Sequence, residues 1–188
     1  MPTAKTLTER EFKQLMRYVL GYRHSLRNQT MIECTHWAGM RVGEVAALRY
    51  CDVIDAEGAV LAEVRLAAEQ TKGKYGRTVY LPERLRKSLA TYIAAFPPRI
   101  PTAPLFYTQK RMGFDANTLC QLFWEMYKKA GLVGGSSHSG RKSFLTNLAN
   151  KGVSIHILQN LAGHRSISVT AKYLTANDGM LRRAVELI

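Results

Sequence analysis

Apolar residues recur at helical spacing near the start of the chain: Phe12, Leu15, Met16, Val19 and Leu20 share one side of a helix. Thr8 and Glu11 precede them at capping-box spacing, the hydroxyl accepting from amides while the carboxylate reaches back. The pattern predicts a second helix over residues 25–37, an interruption at 38–43 and a short helix restarting at 44–48. Strands are predicted at 60–66 and 78–81, joined by a glycine-bearing hairpin turn, with residues 51–54 as a third, edge strand. Pro82 opens another helix, a favoured position for proline, with Leu85, Leu89, Tyr92 and Ile93 on its buried side. Pro97, Pro98, Pro101 and Pro104 mark an extended connector, read as a surface loop rather than a domain boundary. Beyond it come a short strand at 105–107, a helix at 116–130 and a loop at 131–137. Helices at 140–150, 154–162 and 166–174 follow, then an amphipathic stretch with Leu181, Ala184, Val185 and Ile188 on one side. The expectation is an α+β domain, mainly α-helical, with a small antiparallel sheet of about three strands.

Length and composition narrow the class. The 188 residues suit one compact domain or two small ones, and 46% apolar residues are too many for a disordered chain. No apolar run approaches the ~18 residues of a membrane span, and the first residues lack the apolar stretch of a secretion signal, so a cytoplasmic protein is expected. Cys34, Cys51 and Cys120 are odd in number and widely spaced, which fits free thiols rather than a disulfide framework or a zinc site. Lys and Arg outnumber Asp and Glu by 27 to 14, a formal charge of +13 that points to a polyanionic partner, nucleic acid first. There is no long basic run, so the charge sits on folded surfaces, densest from Lys72 to Arg77 and at Arg84, Arg86 and Lys87.

Four segments combine polar groups with tight local geometry. Arg41 stands at a helix start in apolar surroundings with Glu44 three residues on; it is either a surface pair or a guanidinium held for a purpose. Lys72 and Lys74 lie on the hairpin turn, either solvated or projecting toward a phosphate. His138 and Arg141 are three apart at a helix start, where free amides, the dipole and a guanidinium could clamp an oxyanion or phosphate; a plain polar cap is the alternative. His164 follows a glycine-bearing turn, with Tyr173 nine residues later. That stretch also reads as a helix-turn-helix capped by Ser154 and Ser166.

Together, two arginines, a lysine, two histidines and a tyrosine suit phosphoryl transfer through a covalent tyrosine adduct. Only about one free tyrosine in a thousand is ionised at pH 7, so a site must stabilise the developing phenolate and phosphorane charge. The acidic residues bunch around 52–63 instead of forming a two-metal cluster, and no phosphate-binding P-loop or convincing serine triad is present.

The ordered fragments Gly39-Met-Arg41-Val-Gly-Glu44, Thr71-Lys72-Gly, His138-Ser-Gly-Arg141, Leu161-Ala-Gly-His164 and Tyr173 resemble the tyrosine recombinase (phage integrase) family. The resemblance covers essentially the whole chain. It implies an integrase-type catalytic domain over 1–188, without the N-terminal DNA-clamping domain of most relatives and similar in length to the fimbrial inversion recombinases. Whether the chain is naturally minimal or a fragment stays open. Ser139 and Gly140 stand where many relatives have Asp-Leu.

The resemblance further implies Tyr173 as nucleophile, Arg41 and Arg141 on the scissile phosphate, His138 and His164 in hydrogen bonding and proton handling, and Lys72 as general acid on the leaving 5′ oxygen. Glu44 matches a position that supports the active-site arginine. Lys74, Arg77, Lys142 and Arg165 are expected to meet DNA. The implied partner is double-stranded DNA, bound in a salt-sensitive way by a homotetramer on two sites that is a monomer in free solution. Accessory DNA-bending proteins or a partner recombinase are further expected partners. No cofactor and no metal are expected, nor a membrane partner. The competing readings are a non-catalytic helix-turn-helix regulator and a type IB topoisomerase-like enzyme.

Overall fold

The computed structural model describes residues 4–71, 75–110, 112–173, 181–182 and 185–186. Along the chain run the helices α1 (Glu9–Leu20), α2 (Ser25–Trp37), α3 (Val42–Ala47) and α4 (Tyr50–Val53), then strands β1 (Glu63–Leu66) and β2 (Arg77–Tyr80). After them come α5 (Glu83–Ala95), α6 (Ala116–Lys129), α7 (Ser139–Asn150), α8 (Ile155–Ala162) and α9 (Ile167–Ala171). Helices dominate, with a small antiparallel sheet in which Glu63 faces Tyr80 and Leu66 faces Arg77.

Local chemistry sets the helix starts. Thr8 and Glu11 form the reciprocal capping box of α1, Asp115 caps α6, and Ser154 and Ser166 cap α8 and α9. The helix α2 is buried nearly all round. It lies at the centre, packed by α1, α5 and α7. Its contact with α7 is close because Gly140 lies directly against Thr35, where any Cβ would collide. One continuous core joins Leu15, Met31, Leu89, Phe106, Phe123 and Met126. It spans both sides of the proline-bearing connector, so that connector is a loop over a shared core. A second, smaller cluster joins Leu145, Ala149, Leu158 and Ala162, with Tyr173 packed against it.

The expected edge strand at 51–54 is instead the short helix α4, and among the described residues the sheet has two strands rather than three. Asp52 accepts from the Arg49 amide at 2.8 Å, a helix-start bond. The amides of Tyr50 and Cys51 are taken by the carbonyls of Ala103 and Pro101 in the connector, and only Ile54 keeps a strand-like bridge, to Val60. Residues 105–107 likewise form no strand; they follow the isolated bridge Arg49–Pro104 and end at Tyr107, which makes an isolated bridge to Gly113. The helix expected at 166–174 is α9, and Leu174 lies outside the described residues, as do Ala184 and Ile188. Leu181 and Val185 are exposed. No described helix is long and apolar enough to cross a membrane.

Candidate active site

Arg41 occupies the N-cap of α3 in extended backbone, just after Gly39, whose φ of 62° lets the chain turn beneath the Phe144 ring. Glu44, one turn into α3, is 1% exposed and accepts four hydrogen bonds. Two come from Arg41, its amide at 2.7 Å and Nη1 at 2.8 Å. Two come from Arg77 at the start of β2, Nε at 3.0 Å and Nη2 at 2.7 Å. All the acceptor positions of the carboxylate are thereby used. Burial alone would push this carboxyl up; the Arg77 fork, then the Arg41 amide and charge, outweigh it and hold the group below the ordinary range.

The C-terminus of α8 supplies the rest of the cradle. Three successive carbonyls each accept from a different arginine: Leu161 from Arg77 Nη1 at 2.9 Å, Ala162 from Arg141 Nη2 at 2.5 Å, and Gly163 from Arg41 Nη2 at 3.3 Å. The last carbonyls of a helix have no partner within it and carry the negative end of its dipole, so they suit guanidinium groups. Arg141, in the first turn of α7, also donates Nη1 to the Gly39 carbonyl at 2.5 Å. Gly163 closes α8 with φ 58°, and a Cβ there would strike the Cδ of Arg77. The turn needs glycine for its backbone and for the passing side chain.

His164 follows directly. Its Nε2 lies 3.1 Å from Arg141 Nη2 and its Nδ1 lies 3.0 Å from Thr170 Oγ1. A guanidinium can only donate, so Nε2 accepts and the ring proton sits on Nδ1, donated to Thr170. Burial first, then Arg141, Arg41 and Arg77, push this imidazole down to about 4, in keeping with a neutral ring. The ring of Tyr173 stacks on it with centroids 5.8 Å apart and planes 20° from parallel. Burial, then the charges of Arg41 and Arg77, push Arg141 down to about 9, which leaves it cationic at neutral pH.

Arg41, Arg141, His164 and Tyr173 thus gather at one place, although 132 positions separate the first from the last. His138 is the exposed N-cap of α7, one turn before Arg141. Lys72 and Lys74 lie outside the described residues. Lys142 is half-buried on α7, and Arg165 is exposed, its guanidinium 4.5 Å above the Tyr75 ring. Arg77 departs from the expected surface contact with DNA. Its side chain is 9% exposed, and its Nε, Nη1 and Nη2 are all engaged inside the protein. The burial of Arg77 and the Thr170 partner of His164 were not readable from motif spacing. Gly163 carried the one local signal, a glycine at a turn that something must approach closely.

A cationic cradle around a tyrosine, assembled on this helical scaffold, defines the class. The chain belongs to the phage integrase family, whose sequence profile matches residues 5–180. It is 27% identical over 185 residues to tyrosine recombinase XerA of Pyrococcus furiosus, covering 97% of this chain and 61% of that relative. It is 31% identical over 186 residues to tyrosine recombinase XerD of Xanthomonas axonopodis pv. citri, covering 90% and 57%. The chain therefore spans less than two thirds of these relatives. Its fold is similar to the crystal structure of XerA recombinase, with TM-score 0.77 and 26% identity over 100% of this chain and 66% of that one. It is also similar to the Tn1549 transposon integrase in complex with transposon right end DNA, with TM-score 0.76 and 20% identity over 100% and 67%.

Proposed function

We propose that this chain is the catalytic domain of a site-specific DNA recombinase acting in the cytoplasm, which cleaves and rejoins duplex DNA through a 3′-phosphotyrosyl adduct. The observation that carries the reading is the position of Tyr173, stacked on a neutral His164 that Arg141 holds beside Arg41. In the first step the Tyr173 Oη attacks the scissile phosphorus, the bond to the 5′ oxygen breaks, and that oxygen leaves with a proton from Lys72. The phenolic proton passes to His138, while His164, its Nε2 taken by Arg141 and its Nδ1 already protonated, acts as a hydrogen-bonding support. Arg41 and Arg141 neutralise the non-bridging oxygens. Arg41 meets the phosphate first, because 25% of its side chain is exposed, whereas Arg141 is buried.

Glu44 is a support rather than a reactant, its acceptor positions being filled already. The adduct remains a phosphodiester, so a 5′-hydroxyl can reseal it without a nucleotide cofactor or a metal. Exchange between two sites calls for a homotetramer on two duplexes, formed from monomers on DNA. Lys74, Lys142 and Arg165 supply backbone contacts.

A nicked suicide duplex, built on the sequence this chain selects from a random pool, tests the reading. The wild-type chain should become covalently attached, and Tyr173→Phe should abolish attachment while binding stays within a few-fold. Covalent trapping that survives in Tyr173→Phe, or binding with no trapping by the wild type, would favour another nucleophile or a non-catalytic helix-turn-helix regulator.

A further inference from the structure

Arg77 and Arg141 are both buried guanidinium groups in the same cradle, yet their partners differ in kind. Arg141 bonds two carbonyls and an imidazole, neutral groups that orient its charge without cancelling it. Arg77 is locked by two bonds on the carboxylate of Glu44, and its remaining terminal nitrogen donates to the Leu161 carbonyl. A planar fork on a buried carboxylate is a fixed geometry, and the charge of Arg77 lies directly against the opposite charge of Glu44.

Arg77 therefore commits three of its five N–H groups to Glu44 and Leu161 and exposes only 9% of its side chain to a phosphate, but it touches both supports of the groups that meet one. Through Glu44 it fixes the carboxylate that holds the amide and Nη1 of Arg41. Through Leu161 it fixes the end of α8, whose next two carbonyls hold Arg141 and Arg41 and whose turn presents His164. Its Cδ also fills the space over Gly163. The side chain sits 33 positions after Glu44 and 84 before Leu161, so it ties β2 to α3 and α8 across the site.

We infer that Arg77 is a positioning residue for strand cleavage: it acts through Glu44 and the end of α8 to hold Arg41 and His164 in place, and does not contact DNA. This rests on the recombinase reading above. Without Arg77, Glu44 keeps only its Arg41 bonds and is free to draw the guanidinium inward, away from a phosphate. The loss falls on the chemical step, since a displacement of about 1 Å at a reacting centre can cost on the order of 100-fold.

The test uses the same selected suicide duplex at saturating protein. Arg77→Gln should slow adduct formation by about 10- to 100-fold while the dissociation constant and its salt slope stay near wild type. In an Arg41→Gln background the same change should cost less than about threefold more, because the two act along one path. Arg77→Lys, which keeps the charge but loses the fork, should fall between wild type and Gln and serves if the Gln variant folds poorly.

A salt slope reduced by about 1 would make Arg77 a phosphate contact and overturn the inference. So would a lowered melting temperature with an unchanged cleavage rate per folded molecule, which is the mark of a purely structural residue. Full additivity with Arg41→Gln would overturn it as well. A wild-type chain that never cleaves the selected duplex removes the recombinase reading and this inference together. A wild type that cleaves, matched in rate by Arg77→Gln, removes this inference alone.

Discussion

The helices α1–α6 share one continuous core with Leu15, Phe106, Phe123 and Met126 fully buried, whereas α7 and α8 meet in a cluster of Leu145, Ala149, Leu158 and Ala162, with Tyr173, just past α9, packed against it. The candidate site straddles the two. Arg41 and Glu44 stand on α3, whose Val42 and Val45 belong to the large core. His164 and Tyr173 belong to the small cluster or its edge. The helix α7 joins the regions, with Gly140 against α2 on one side and Leu145 and Ala149 toward α8 on the other. A cradle for a phosphate profits from a stiff base, while a nucleophile that must approach and retreat profits from a lightly anchored one. Stability that differs along a chain in this way is the usual source of local opening.

Core truncations break the comparison most directly. Phe123→Ala removes a fully buried ring from the large core and should cost about 3–5 kcal/mol of global stability, read from urea unfolding. Leu158→Ala removes a fully buried side chain from the small cluster. Its cost of about 2–5 kcal/mol should appear first as faster hydrogen exchange of α8 amides, with α2 amides nearly unchanged. Equal acceleration in α2 and α8 would show that the two regions open as one unit.

Acidification acts on both regions through histidines whose surroundings hold them neutral. His36 lies in the large core, stacked on Phe12 with centroids 3.7 Å apart, and burial first, then Arg84, push it down to about 4. An unfolded chain has histidine near 6.5, so between those values it binds more protons than the folded chain. Stability is therefore fully present above about pH 6.5 and lost as pH falls toward 4. His36 alone contributes about 3 kcal/mol to that loss, at roughly 1.4 kcal/mol per pH unit. His164 shifts in the same direction but is half-buried, so its share is smaller and local to the α8–α9 turn. His36→Leu should flatten most of the slope of unfolding free energy between pH 6.5 and 4.5. An unflattened slope would move the effect to His164 and the small cluster.

The sequence made some of this contrast legible and hid the rest for physical reasons. Caps and apolar periodicity are local, so Thr8 with Glu11, Ser154 and Ser166 announced their helices, and α2 lies where its pattern put it. The 51–54 segment misled because Val53 and Ile54 favour strands, while Asp52 and the distant carbonyls of Pro101 and Ala103 decided the backbone. In the site, the order of Arg41, His138, Arg141, His164 and Tyr173 could be read as a pattern. The Arg77–Glu44 pair could not, because an ion pair across 33 positions leaves no trace in spacing. A cation beside a hairpin turn looks the same in sequence whether it faces DNA or a buried carboxylate. Nor did any pattern separate one core from two, since both clusters draw on the same kinds of residue.

The mildest change sharpens the comparison furthest. Ser154 caps α8 at the end remote from the arginine cradle, its Oγ accepting from the Ile157 amide at 3.4 Å. Ser154→Ala should cost about 1 kcal/mol, which makes local opening of α8 about fivefold more frequent. The closed form remains the great majority, so adduct formation on the selected duplex should change by less than about twofold. Hydrogen exchange of α8 amides should rise while that of α2 and α6 stays put. If cleavage instead falls in step with the rise in exchange, then opening of α8 already limits the reaction, and the lightly anchored region, rather than the cradle on the large core, sets its rate.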